Sequence, residues 1–178
     1  MRNPVLWIGI VAALVYSSWP LGFILNPAVS HHAFASQLEA SSQPYNWLFI
    51  LLDVLCGLAL IVGGILQWHK ESRLTIKLSV LGYMLFAVMV VVAAVAPYNC
   101  NSLSVGTCQA SIVHSPLFII HGLASILSVL FLLGSTVLLI RLLFEKQTYH
   151  WLNMVGVLTV ACWGSLGVSA LFLANSIP

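Results

Sequence analysis

From Leu48 to Gln67 the chain sets twenty residues in a row with one charged side chain among them, Asp53. A hydrocarbon core about 30 Å thick is crossed by roughly 20 apolar residues rising 1.5 Å each. A run like this either crosses a bilayer or vanishes into the core of a much larger protein, and 178 residues cannot build that core. Four more stretches share its character, and together the five cover residues 4–25, 47–68, 75–96, 116–143 and 151–174. Inside lipid every backbone amide must be satisfied within its own segment or in a closed barrel. The unbroken Val88-Met89-Val90-Val91-Val92 lacks the alternation of a barrel strand. The expected fold class is therefore all-α: a polytopic transmembrane helix bundle of five spans, one integral membrane domain over 1–178. Only 6% of the residues are charged, against about 25% in a soluble domain. That excludes a free-standing soluble enzyme, and it excludes nucleic-acid binding, which needs a dense basic patch.

Pro20 removes a backbone donor inside the first span and is expected to kink it near its outer end. Pro4, Pro27, Pro44, Pro97 and Pro116 fall at span boundaries. All six basic residues, Arg2, Lys70, Arg73, Lys77, Arg141 and Lys146, lie in connections on one side of the predicted spans. Cytoplasmic loops carry the excess of Lys and Arg, so the expected topology is N-in and C-out in a bacterial cytoplasmic membrane. Arg2, the first apolar run and Ala33-Phe34-Ala35 outline a signal peptide with its cleavage site. The run is longer than a signal core and the site lies far past its end, so a retained first span is expected.

Cys100 and Cys108 share one outer loop. Outside the cytoplasm two such cysteines read as a structural disulfide, worth ~2–3 kcal/mol through the unfolded state. Their spacing is not the C-x-x-C of thiol–disulfide catalysis. Cys56 and Cys162, inside spans, read as small packing residues.

Asp53 lies about seven residues into the second span, roughly 10 Å deep. An ionised carboxylate there costs about 3 kcal/mol even on the lenient insertion scale, so it must face the bundle, find a partner or keep its proton. His121, at a similar depth in the fourth span, is its expected partner. His114 precedes His121 by two helical turns on the same face, and Ser125 and Ser128 continue that stripe. Gly57 and Gly64 give the second span a small face that another helix can approach closely.

Two roles stay open for the pair. An Asp–His hydrogen bond can be helix glue, and a serine in a span commonly bonds its own backbone. Alternatively, Asp53, His114 and His121 could hold zinc with an open position for water, whose pKa the metal would lower. Without metal, Asp53 could hold His121 in one tautomer as a general base. His31 and His32 read as incidental, and His69 and His150 as interfacial anchors. No haem is expected, because only His121 lies clearly within a span.

The runs Ala35-Ser36-Gln37-Leu38-Glu39-Ala40, Gln43-Pro44-Tyr45, Leu48-Phe49 and Asp53-Val54-Leu55-Cys56-Gly57-Leu58 resemble a bacterial multi-pass membrane family of unknown function, DUF998. So does the order Pro97, Cys100, Cys108, His114, Ser115, His121, Ser125. The resemblance covers about residues 35–125 and strengthens Asp53, His114, His121, Ser125 and Ser36 as binding candidates without naming a reaction. Gln37 stands where the family carries an acid after the serine, and members commonly show a further span.

The expected function is a non-enzymatic membrane component binding a lipid, small molecule or partner in an outward-facing polar pocket. The alternative is a metal- or His/Asp-dependent hydrolase acting on a lipid or lipid-linked substrate, with Asp53 and His121 as catalytic candidates. A proton-coupled carrier using Asp53 is disfavoured for want of a second deep acid and of an internal repeat. Expected partners are membrane lipids, with a membrane-protein partner or a second copy of the chain.

Overall fold

The computed structural model describes residues 4–26, 38–41, 43–97 and 115–144. Among the described residues every element is helical: α1 (Pro4–Tyr16), α2 (Leu21–Leu25), α3 (Asn46–Lys70), α4 (Leu74–Val95) and α5 (Pro116–Phe144). The last three are long and apolar enough to cross a membrane, and they match the second, third and fourth expected spans to within a residue or two. The fifth expected span, 151–174, lies outside the described residues. So do His31, His32, Ala33-Phe34-Ala35, Ser36, Cys100, Cys108, His114, His150 and Cys162.

The first expected span departs from its prediction. It is broken rather than kinked: α1 stops at Tyr16, four residues before Pro20. That spacing has a steric cause, because a proline ring collides with the carbonyl four residues earlier and supplies no N–H to it. The chain turns through Ser17–Pro20, with the Leu21 and Gly22 amides donating to the Ser18 and Trp19 carbonyls at 2.9 Å. The thirteen residues of α1 extend about 20 Å at 1.5 Å each.

The long helices pack in a row. α3 lies between α1 and α4, and α4 between α3 and α5, with the α4–α5 contact the most extensive. Small residues set these approaches, as packing without a hydrophobic driving force requires. A β-carbon on Gly57 of α3 would strike Val91 and come within 2.9 Å of the Ala87 carbonyl on α4. The Cys56 thiol donates to the Ala12 carbonyl of α1 at 3.4 Å, so this cysteine is a packing residue as expected. Between α4 and α5, the Ser135 hydroxyl donates to the Ser79 carbonyl at 2.7 Å. The two serine hydroxyls lie 3.1 Å apart, and Ser79 Oγ reaches the Ser135 carbonyl at 3.2 Å. Apolar contacts flank this clasp: Ile76, Val80 and Leu139 on one side, Phe86, Val90 and Leu132 on the other. Tyr16 meets Phe86 edge to face, centroids 6.0 Å apart, which fixes the end of α1 against α4.

The described basic residues Lys70, Arg73, Lys77 and Arg141 gather at the end of the bundle where α3 and α5 finish and α4 begins. There the Lys77 ammonium sits 5.3 Å from the centre of a Trp68 ring, a cation–π contact. The opposite end carries Glu39 and Asp53, while Glu71 stays at the basic end, its carboxylate accepting from the Ser72 and Arg73 amides at 3.0 and 3.1 Å.

Candidate functional site: a covered carboxyl pair

At the end where α3 and α5 begin, a short turn folds back over the helices. Leu38, Glu39 and Ala40 are all buried. Leu38 packs with Phe49, Trp19 and Leu25 and sits against Gly22, where an added β-carbon would come 2.6 Å from Leu38 Cδ1. Gly22 is therefore the notch that receives the turn. Buried Asn26 ties down its far side, its amide nitrogen donating to the Pro44 carbonyl at 2.9 Å. Its Oδ1 has no hydrogen-bond partner among the described residues. Tyr45 then enters α3 with φ 60°, a left-handed conformation costing a bulky side chain about 1–2 kcal/mol. The seat of Leu38 and the Asn26–Pro44 bond hold the chain in that turn.

This cover carries Glu39 onto Asp53. Glu39 is 5% exposed, and its carboxyl group is hydrogen-bonded to that of half-buried Asp53, one turn past Phe49 on α3. Two adjacent carboxylates cannot both ionise readily. Burial first, then the hydrogen bond and the charge of Asp53, push Glu39 up to about 9. Near neutral pH Glu39 thus keeps its proton and donates it to Asp53.

His121 completes the group from α5. It is 7% exposed and lies close enough to Asp53 to interact with it electrostatically. Its Nδ1 lies 2.9 Å from the Ala93 carbonyl of α4. A carbonyl only accepts, so Nδ1 carries the hydrogen. The reason lies four residues downstream of Ala93, where Pro97 has no N–H to close the helical bond. The Ala96 amide reaches the same oxygen only at 3.2 Å, and the imidazole fills the remaining place. The Ala93 carbonyl therefore fixes the orientation of the His121 ring and the hydrogen on Nδ1.

Asp53 thus has Glu39 as its hydrogen-bond partner and His121 within electrostatic reach, and His121 Nδ1 bonds the Ala93 carbonyl rather than the expected Asp53. Ser125 and Ser128 share the helix with His121, but their hydroxyls donate to their own backbone, at the His121 and Ser125 carbonyls (2.8 and 2.7 Å). Ser36 and His114, the other binding and metal candidates, lie outside the described residues. Among the described residues no three His, Cys, Asp or Glu side chains converge closely enough to hold a metal ion. Glu39 carried one sequence signal, an acid beside Leu38 in a loop otherwise free of charge. Its burial could not be read there, because it depends on Leu38 finding Gly22.

Three long apolar helices with a covered acid pair near one end define a helical membrane protein. Within that class, the chain belongs to the family described as Protein of unknown function (DUF998), whose model matches residues 9–177. No curated protein and no solved structure matches the chain.

Proposed function

We propose that this chain is a five-span protein of the bacterial cytoplasmic membrane, N-in and C-out, whose outward-facing pocket at Glu39, Asp53 and His121 binds a small molecule or lipid headgroup. The observation that carries this is the Glu39–Asp53 hydrogen bond beneath a folded-back turn. Helix glue needs only one acid and one base between spans. Here a second acid comes from a connecting segment and holds a proton for which Asp53 is the acceptor. Intramembrane ionisable groups that face a bundle interior mark functional sites by default. The chemistry that would recognise such a site is a hydrogen-bond-donating cation, an amine above all, which can take the place of the shared proton. A Cys100–Cys108 disulfide would brace the mouth of this pocket.

The test is thermal unfolding of the purified protein in micelles, titrated with short-chain phospholipids carrying ethanolamine, choline or glycerol headgroups. The primary amine is expected to raise the melting temperature most, and Asp53→Asn to abolish the difference. An equal response to all three, or one that survives Asp53→Asn, overturns the proposal.

One observation favours the hydrolase reading as second choice. A histidine whose Nδ1–H is fixed by a backbone carbonyl presents Nε2 as a general base, and Asp53 stabilises the imidazolium that would form. Water would be the nucleophile. Hydrolysis of a lipid-linked ester by the purified protein, lost in His121→Ala, would establish it.

A further inference from the structure

The glycines of α3 and α4 are all filled notches. The positions where their β-carbons would stand meet Val91 at Gly57, Ile8 at Gly63, Met84 at Gly64 and Ser135 at Gly82, each from another helix. The two glycines of α5 behave differently: among the described residues nothing lies within 4 Å of that position at Gly122 or Gly134. They flank the face of α5 turned away from α4. Along that face Ile119, Leu123, Ile126, Leu130, Leu133, Val137 and Ile140 repeat at alternating steps of four and three, between 40% and 62% exposed. The face that meets α4, through His121, Ala124, Leu132, Ser135 and Leu139, lies on the other side of the helix. α3 exposes Leu51, Leu55, Leu58, Val62 and Ile65 in the same steps, so it is the two open glycines, and not the repeat, that set this face of α5 apart.

We infer that this face of α5 is the docking surface for the chain's own apolar segment 151–174, packed antiparallel against it. The inference rests on the five-span reading above. The length of chain beyond α5 supports it, because six residues separate Phe144 from Trp151 and a short connection makes consecutive helices antiparallel neighbours. The composition of the segment also fits. A return that starts level with Phe144 at Trp151 sets Leu130 beside Ser165 and Gly134 beside Ala161. Ala161, Ser165 and Val168 share a helical face at i, i+4 and i+7. That small face complements the bulky seam, as small residues do in membrane interfaces. α5 is then held from both sides, and His121 with it.

The experiment is cysteine cross-linking in native membranes. Leu130→Cys is paired with Ser165→Cys in the full chain after its four native cysteines are replaced, with the neighbouring pair Gly134→Cys and Ala161→Cys alongside. A disulfide within single chains is expected. Cross-links only between chains would assign the seam to a second copy, and no cross-link would assign it to lipid; either overturns the inference. Gly134→Leu, with the native cysteines kept, provides a second measurement. A filled notch predicts a lower melting temperature, whereas an unchanged or raised one contradicts docking. Labelling of a cysteine appended to the C-terminus separates the two claims. External labelling without a cross-link defeats the docking and leaves the five-span topology, whereas cytoplasmic labelling defeats both.

Discussion

Glu39 enters the fold as an acid that must keep its proton, and that has a signed consequence. Its folded value near 9 lies above the ordinary 4.5, so between those limits the folded protein holds a proton that the unfolded chain releases. Stability from this group is full below 4.5, declines as pH rises, and is lost above about 9. Melting curves in micelles should therefore shift downward as pH rises through that window. Glu39→Gln, whose amide still donates to Asp53, should flatten the trend and raise the melting temperature at its alkaline end; an unchanged slope would count against the pair. His121 supports a second prediction at this scale. His121→Ala leaves the Ala93 carbonyl short of a donor and should cost about 1–3 kcal/mol. Pro97→Ala should recover part of that loss by restoring the missing helical N–H, as read in double-variant melting experiments. The sequence showed Asp53 and His121 because an ionisable group within an apolar run is conspicuous. It hid Glu39 and the Ala93 carbonyl, since one depends on a long-range fold-back and the other on a hydrogen bond that Pro97 fails to make.

Among the elements, α3, α4 and α5 were legible almost to the residue, because twenty apolar residues in a row leave few alternatives. The first span was not. Pro20 announced a disturbance, but hydropathy could not distinguish a bend from a break. Pro20→Ala, which removes the clash with Tyr16, is expected to join α1 to α2 and increase helix content by circular dichroism. It should also weaken the seat of Leu38, because Gly22 would rotate out of its notch. The α4–α5 clasp of Ser79 and Ser135 predicts coupled behaviour. Either serine changed to alanine leaves a hydroxyl partly unpaired, so the double variant should cost less than the two single losses added together. Interhelical hydrogen bonds in membranes contribute about 0.6–2 kcal/mol, and a double-mutant cycle reads the coupling directly. Strict additivity would mean that the serines act only as small residues.

At the scale of the whole molecule, the buried carboxyl pair and the described basic residues occupy opposite ends of the bundle, with Glu71 on the basic side accepting from the Ser72 and Arg73 amides. The basic end carries Lys70, Arg73, Lys77 and Arg141 and holds Trp68 beneath an ammonium group. The other end carries Glu39 and Asp53 under a cover made from the first connection. The proposed topology, with the basic end in the cytoplasm, would put the carboxyl pair beneath the outer surface. The central claim is that Glu39 is a protonated acid bonded to Asp53 under ordinary conditions. Infrared spectroscopy tests it most directly, because a protonated carboxylic acid has a carbonyl band that a carboxylate lacks. Near neutral pH the wild-type protein should show that band, Glu39→Gln should remove it, and Asp53→Asn should move it to another frequency. A spectrum with no such band until pH falls below 4.5, or a band indifferent to Glu39→Gln, would contradict the account.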